Sequence, residues 1–148
     1  MADLGDLERL TIISECARLI ARFAERSDAR DPEALAALFT EDGVFARPTM
    51  PDKPYIGRAA ILEGFRARPA TLLTRHLVTN VIVTPVSAEA ATAESYILLY
   101  TAQLADGATL PVPANPKQLI GAFRDSMVRE SGVWKFRERR GSLAMTVE

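Results

Sequence analysis

His76 is the only histidine in this chain of 148 residues. It lies in an apolar run, residues 72–83, whose β-branched and aliphatic side chains predict a strand. Because an imidazole titrates near neutral pH, a histidine in a pocket can remove a proton from a bound molecule. A carboxylate bonded to one ring nitrogen would leave the other nitrogen as the base. A lone histidine in a strand is also commonly a core residue, so the sequence alone leaves both interpretations open.

Strand periodicity places Asn80 on the same predicted face as His76, because side chains two residues apart point to the same side of a sheet. The predicted face consists of His76, Val78, Asn80 and Ile82. Asn80 can therefore either contact a ligand or satisfy backbone groups in the core. Both faces of the strand are fairly apolar, so one is expected to line a pocket and the other a subunit interface.

Tyrosines and arginines on the following strands are candidates for assisting a leaving group. Tyr96 and Tyr100 share a face of the next predicted strand, where they either line the pocket or pack with their hydroxyls at its rim. Arg124 and Arg129 have opposite parity on their strand, so at most one of them points inward. Asp125 is expected to be a surface partner of Arg124.

Two further groups of residues have predicted structural roles. Charged side chains near the C-terminal end are expected at a solvated strand end: Arg137, Glu138, Arg139 and Arg140. Apolar or soft side chains are expected to pack in the core: Cys16, Met127 and Trp134.

The composition excludes several classes of function. With 18 lysines and arginines against 19 aspartates and glutamates, the formal net charge is −1, which favours neither nucleic acid nor a membrane as a partner. One histidine and one cysteine are too few for a His/Cys zinc site, and no cofactor motif is present, so no metal or cofactor is expected. The single cysteine cannot form an internal disulfide, which favours a cytoplasmic protein. Residues 1–6 lack signal-peptide features, and no apolar run approaches the roughly 20 residues of a membrane helix.

The N-terminal part of the chain is predicted to be helical, within a single domain over residues 1–148. A first helix should be capped at its start by Asp3 or Asp6 and end near Arg26, before a tight corner at residues 27–30. The next three residues, Asp31-Pro32-Glu33, are of the types that start a second helix. A third helix should open at Gly57 and stop near Pro69.

The remainder of the chain is predicted to form strands. Four long segments qualify, at residues 71–85, 91–104, 117–129 and 133–144, and the short turns between most of them favour antiparallel pairing. The predicted fold is therefore α+β, a curved antiparallel sheet wrapped on the N-terminal helices into a cone with an internal pocket. A sheet with two apolar faces needs cover, so a homo-oligomer, either dimer or trimer, is expected.

Four segments resemble the SnoaL-like branch of the NTF2-like superfamily, in the same order along the chain. The matching segments are residues 27–45 for its helix corner, 55–61 for its third helix, 75–80 for the next strand and 132–136 for the last strand. Within that superfamily the pattern is similar to scytalone dehydratase-like and dehydrochlorinase-like enzymes, which carry an Asp at the helix corner and a His on the strand after the third helix. The resemblance implies that Asp28 and His76 meet in the pocket.

The same resemblance bears on the other candidate residues. Residues 129–136 are similar to the final turn of the dehydrochlorinase, which favours Arg129 as the inward arginine. Scytalone dehydratase has a second active-site His where this chain offers Tyr96 or Tyr100. Arg47 falls near the position of the catalytic Asp of ketosteroid isomerase, which disfavours isomerase chemistry of that type.

The expected function is that of a cofactor-independent lyase acting on a small, partly apolar cyclic molecule. His76 would remove a carbon-bound proton and Asp28 would orient the ring. Substrate contacts are expected from Tyr96, Tyr100, Asn80 and Arg129. The alternative is a protein that binds a small molecule without chemistry, or an accessory protein, in which Asp28 and His76 only satisfy each other.

Overall fold

A computed structural model describes residues 3–148 of the chain, so the first two residues of the segment considered for a signal peptide lie outside it. The helices are α1 (Asp6–Asp28), α2 (Pro32–Ala36) and α3 (Arg58–Arg66). The strands are β1 (Phe39–Ala46), β2 (Tyr55–Ile56), β3 (Leu72–Ser87), β4 (Ala90–Gln103), β5 (Gln118–Glu130) and β6 (Val133–Val147). Three helices and four long strands follow the predicted order, and the fold is α+β as predicted.

The six strands form one curved, unclosed sheet with the order β2-β1-β6-β5-β4-β3. The last four strands pair antiparallel in sequence, as their short turns predict. β1 runs parallel to β6, with Phe39 opposite Phe136 and Ala46 opposite Arg140, so the sheet is mixed and the expectation of a wholly antiparallel sheet is wrong. Short turns specify the relative direction of consecutive strands only, whereas β1 and β6 are far apart in the sequence and are not joined by a turn.

The helix boundaries follow local capping chemistry. The Asp31 carboxylate accepts a 3.0 Å hydrogen bond from the backbone N–H of Ala34, so α2 starts as predicted. α1 is preceded by Gly5 and has no side-chain cap, which corrects the expectation that Asp3 or Asp6 caps it. Asp6 is instead the first residue of the helix. None of the helices within residues 3–148 is long and apolar enough to cross a bilayer.

The core lies between α1 and the inner face of the sheet and contains all six phenylalanines. The Phe23 ring on α1 lies 5.3–6.1 Å, centroid to centroid, from the other five: Phe39, Phe45, Phe65, Phe123 and Phe136. Cys16, Met127 and Trp134 are buried in the same core, which confirms their predicted packing. The outer face leaves Leu77, Ile82 and Tyr96 more than half exposed, and the oligomer that would cover it stays a prediction.

Asp125 and Arg139 are buried together in this core, contrary to both expectations for them. Asp125 is 4% exposed and Arg139 is 0% exposed, and the Arg139 guanidinium donates a 2.6 Å hydrogen bond to the Asp125 carboxylate. The guanidinium carbon lies 3.8 Å from the centroid of the Phe123 ring. Asp125 pairs with Arg139 because the two are directly opposite across β5 and β6, and both point inward. Arg124 instead projects outward and contacts Glu94.

Candidate active site

The end of α1 places a carboxylate against β3. Asp28 is the last residue of the helix, and Arg30 has a positive φ of 59°, which turns the chain sharply after it. The Arg30 guanidinium donates hydrogen bonds to the backbone carbonyls of Leu72, at 2.7 Å, and Arg68, at 3.1 Å. These bonds tie the helix corner to the start of β3 and to the segment after α3, so the position of Asp28 relative to His76 is held by the fold.

Asp28 and His76 are in direct contact. The Asp28 Oδ1 atom lies 2.5 Å from His76 Nδ1, and Asp28 Oδ2 accepts a 2.9 Å hydrogen bond from the backbone N–H of His76. Both side chains are mostly buried, at 14% and 16% exposure. Because both carboxylate oxygens are engaged on one residue, the imidazole orientation is fixed and Nε2 is the ring nitrogen left for other partners.

A second layer of hydrogen bonds supports the carboxylate. The Thr74 hydroxyl donates to Asp28 Oδ1 at 2.9 Å, and the Arg68 guanidinium donates to the Thr74 hydroxyl at 3.2 Å and to the Ser27 hydroxyl at 2.9 Å. Burial opposes ionisation of Asp28, but the bonds from the His76 ring and backbone, the His76 charge and the Thr74 hydroxyl together lower the pKa of the carboxyl below its ordinary value. Asp28 therefore stays ionised next to the imidazole at neutral pH.

His76 lines a cavity of about 250 Å³ between the helices and the inner face of the sheet. This volume is several times the roughly 30 Å³ that a water molecule occupies in the liquid, so the cavity can hold a small organic molecule. Its wall is mainly apolar, and includes Phe23, Phe45, Phe65, Ile97, Leu99, Leu119, Phe123 and Leu143. Its polar lining comes from Ser27, Arg47, Thr49, Arg68, Thr74, His76 and Thr101.

Arg47 brings a second guanidinium to the cavity. It follows β1, and its Nη2 atom donates a 2.8 Å hydrogen bond to the backbone carbonyl of Gly64. The guanidinium carbon lies 5.3 Å from the Tyr55 ring centroid and 5.4 Å from the Phe65 ring centroid. Its Nε atom is buried and has no hydrogen-bond partner within residues 3–148.

The two tyrosines predicted to contact substrate lie on the other face of β4. Ile97 and Leu99 line the cavity, and side chains alternate along a strand, so Tyr96 and Tyr100 project from the outer face. Tyr96 is 55% exposed and sits opposite Thr79 of β3. The structure does not bring these two tyrosines into the lining of the cavity.

Asn80 does not share the inward face with His76, because the pairing of β3 with β4 changes register at Asn80. Asn80 has a φ of 54° at an irregularity in the β3–β4 pairing between Thr79 and Ile82. A β-bulge of this kind shifts the alternation of every residue after it. Asn80 and Ile82 are exposed, and Val83 packs against the core in place of Ile82.

Arg129 lies near the opposite end of α1 from Asp28. It is exposed at the end of β5 and lines a surface recess together with Gly5, Leu7 and Trp134. Since α1 has 23 residues and a helix rises about 1.5 Å per residue, the two ends are roughly 35 Å apart. The structure therefore does not place Arg129 beside His76.

Sequence reasoning missed four residues of the site: Ser27, Arg47, Arg68 and Thr74. Thr74 lies two residues before His76, so strand alternation could have found it. Arg68 follows α3 and carries no local signal, because its neighbours Ser27 and Thr74 are brought to it only by folding. Within residues 3–148, no three His, Cys, Asp or Glu side chains cluster in a way that could hold a metal ion.

Comparison with known proteins assigns the family. The profile of the SnoaL-like domain family matches residues 8–140, which is most of the chain, and the chain belongs to that family. This confirms the resemblance stated from the sequence. No curated protein matches the sequence significantly.

Solved structures of the same fold include relatives with enzyme names. A candidate scytalone dehydratase from Novosphingobium aromaticivorans is 28% identical, with a TM-score of 0.75 over 93% of this chain and 87% of that chain. A hexachlorocyclohexane dehydrochlorinase, LinA type 2, is 20% identical, with a TM-score of 0.78 over 97% of this chain and 92% of that chain, a likeness of fold alone. A protein of unknown function from Mycobacterium tuberculosis is 25% identical, with a TM-score of 0.75 over 95% of this chain and 76% of that chain.

Proposed function

We propose that this protein is a lyase that eliminates water or a halide from a small, partly apolar cyclic molecule, with His76 as the general base. The observation that carries the proposal is an imidazole that lines an apolar cavity and has its other ring nitrogen held by an ionised carboxylate. The similarity to a candidate scytalone dehydratase supports the class of reaction.

Elimination needs a base and an oriented substrate. Nε2 of His76 takes a proton from carbon, the electron pair of that C–H bond forms the new C=C bond, and the bond to the leaving group breaks with its electron pair. A departing hydroxide takes the proton back from the imidazolium and leaves as water. A departing halide leaves as the anion, and the imidazolium passes its proton to solvent.

Asp28 contributes by stabilising the imidazolium that forms in the first step. Its carboxylate bonds both the ring and the backbone of the same residue, so the ring is held in one orientation through the reaction. Both side chains are mostly buried, so the charge on Asp28 is poorly screened by water, which strengthens its interaction with the imidazolium.

The test is a screen of cyclic hydroxy-ketones and halogenated rings, with loss of water or of hydrogen halide read by mass spectrometry. For a compound that reacts, His76→Gln should reduce turnover by about 10²–10⁴-fold, the usual contribution of a general base. Leu77→Gln is the matched control, since it places the same side chain one residue along β3 on the exposed face. Equal turnover by H76Q and wild type would refute the assignment, and saturable binding without product would favour the binding-only alternative.

A further inference from the structure

The charge of the cavity is out of balance. Arg47 and Arg68 line it, and Arg30 is bonded to the Arg68 carbonyl beside it. Among residues 3–148, no carboxylate lies within 4.0 Å of any of these three guanidinium groups. Asp28 is the acidic group whose charge acts on Arg68, and it is already engaged by His76 and Thr74. Around the cavity there is thus one negative charge for three positive ones, of which two, Arg47 and Arg68, line it.

Repulsion from the two neighbouring arginines acts on Arg68. Burial, followed by the charges of Arg30 and Arg47, lowers the pKa of the Arg68 guanidinium, and Asp28 offsets this only in part. An arginine remains charged in such a site, because its ordinary pKa is far above neutrality. The excess positive charge therefore persists in the cavity at neutral pH and favours a negative partner.

Arg47 is the member of the group with the fewest donors engaged: one hydrogen bond, against two for Arg30 and three for Arg68. A guanidinium has five N–H groups, and Arg47 uses one of them on the Gly64 carbonyl. Its buried Nε has no partner, although the side chain lines the cavity. Arg68, in contrast, is committed to Ser27 and Thr74. A carboxylate is the group that satisfies two adjacent guanidinium N–H donors at once.

We propose that the molecule bound in this cavity carries a carboxylate on an otherwise apolar ring, and that the carboxylate binds the guanidinium of Arg47. The ring then lies against the aromatic wall formed by Phe45, Phe65 and Phe123, on the same cavity surface as His76. This inference rests on the proposed function in taking the cavity as the substrate site, and it adds the chemical class of the substrate. Arg47 is a specificity residue in this scheme, and the proton transfer itself belongs to His76.

The test measures a binding ratio with two probes of the same shape. The dissociation constants of 2-naphthoate and the neutral 2-naphthamide are measured by titration calorimetry at pH 7 on the full chain. Wild type should prefer the carboxylate by at least about tenfold, and Arg47→Met should reduce the preference to within about twofold by weakening the carboxylate alone. Arg47→Lys keeps a positive charge and should retain part of the preference. Arg124→Met is the matched control, an exposed arginine outside the cavity, and should behave as wild type.

Several results would overturn the inference. They are equal affinities of the two probes for wild type, an unchanged preference in R47M, and no binding of either probe. If R47M loses its cooperative melting transition, Arg47→Gln takes its place with the same expectations. The ratio of the two dissociation constants is also measured in H76Q, where it should equal that of wild type. A carboxylate preference without turnover of any compound would reject the lyase and retain this inference, whereas turnover of neutral rings with equal probe binding would do the reverse.

Discussion

Removing either Asp125 or Arg139 alone should destabilise the fold strongly, whereas removing both should not, and a double-mutant cycle tests this. Arg139→Met leaves a carboxylate in the core without its cation, and Asp125→Val leaves a guanidinium without its anion. Each single variant should lose about 4 kcal/mol and melt about 12 °C lower, because breaking a buried pair costs about 3–5 kcal/mol and a chain of this size loses roughly 3 °C per kcal/mol.

The double variant should recover most of that loss. Counting side-chain atoms alone, Asp125 is 0% and Arg139 is 1% exposed, so their charges were taken fully out of water on folding. Arg139 Nε and Asp125 Oδ1 have no hydrogen-bond partner within residues 3–148, so the pair is incompletely satisfied and its desolvation is poorly offset. Met and Val can fill the space among Phe23, Phe123 and Phe136, and we expect a net change of at most about 2 kcal/mol.

The loss of unfolding free energy in R139M should also depend on pH. Burial raises the pKa of Asp125 even though the charge and hydrogen bond of Arg139 oppose this, and Arg139→Met removes that opposition. A carboxyl with a folded pKa above its unfolded value of about 3.9 favours the folded state at low pH and loses that contribution as pH rises. The difference in unfolding free energy between wild type and R139M should therefore be smaller at pH 4 than at pH 7.

Urea unfolding followed by circular dichroism measures all four corners of the cycle. Arg140→Met is the control, since Arg140 is the next residue, is about half exposed and pairs with Glu138, and it should change stability by no more than about 0.5 kcal/mol. Single-variant losses below about 1 kcal/mol, or a double variant as unstable as the sum of the singles, would refute the reasoning about buried charge.

Two smaller predictions concern other buried groups. The pKa of Asp28 is lowered because the bonds from His76 and Thr74 outweigh its burial. The ionised carboxylate therefore stabilises the fold above its unfolded pKa of about 3.9. This contribution is lost as the pH falls through the lower pKa that Asp28 has in the folded protein. Asp28→Asn should cost about 2 kcal/mol at pH 7 and flatten the acid limb of the stability profile, and an unchanged limb would contradict this. Burial, with a smaller effect of Glu15, raises the pKa of Cys16 to about 12, so a thiol reagent at pH 8 should label it only after unfolding. Labelling of native protein at the rate of unfolded chain would show that the thiol is accessible.

Elements defined by near neighbours in the chain were predictable from the sequence. Asp31, Pro32 and Glu33 specify the start of α2 because a cap bonds a backbone group three residues away. The order of helices and strands, and the candidacy of the lone His76, likewise follow from periodicity and residue type. The inward position of Thr74 was equally accessible, since it is two residues from His76 on the same strand.

Contacts between distant segments were decided by the tertiary structure. The 2.5 Å approach of Asp28 to His76 depends on the corner at Arg30 bonding to β3, and no local spacing encodes that distance. One irregularity at Asn80 reversed the facing of the residues after it. Arg139 and Arg140 are adjacent and alike in type, yet the former is fully buried and the latter is exposed. Adjacent side chains on a strand point to opposite faces of the sheet. Which of the two faces inward depends on the register of that strand with a strand elsewhere in the chain, and packing of the whole core sets that register.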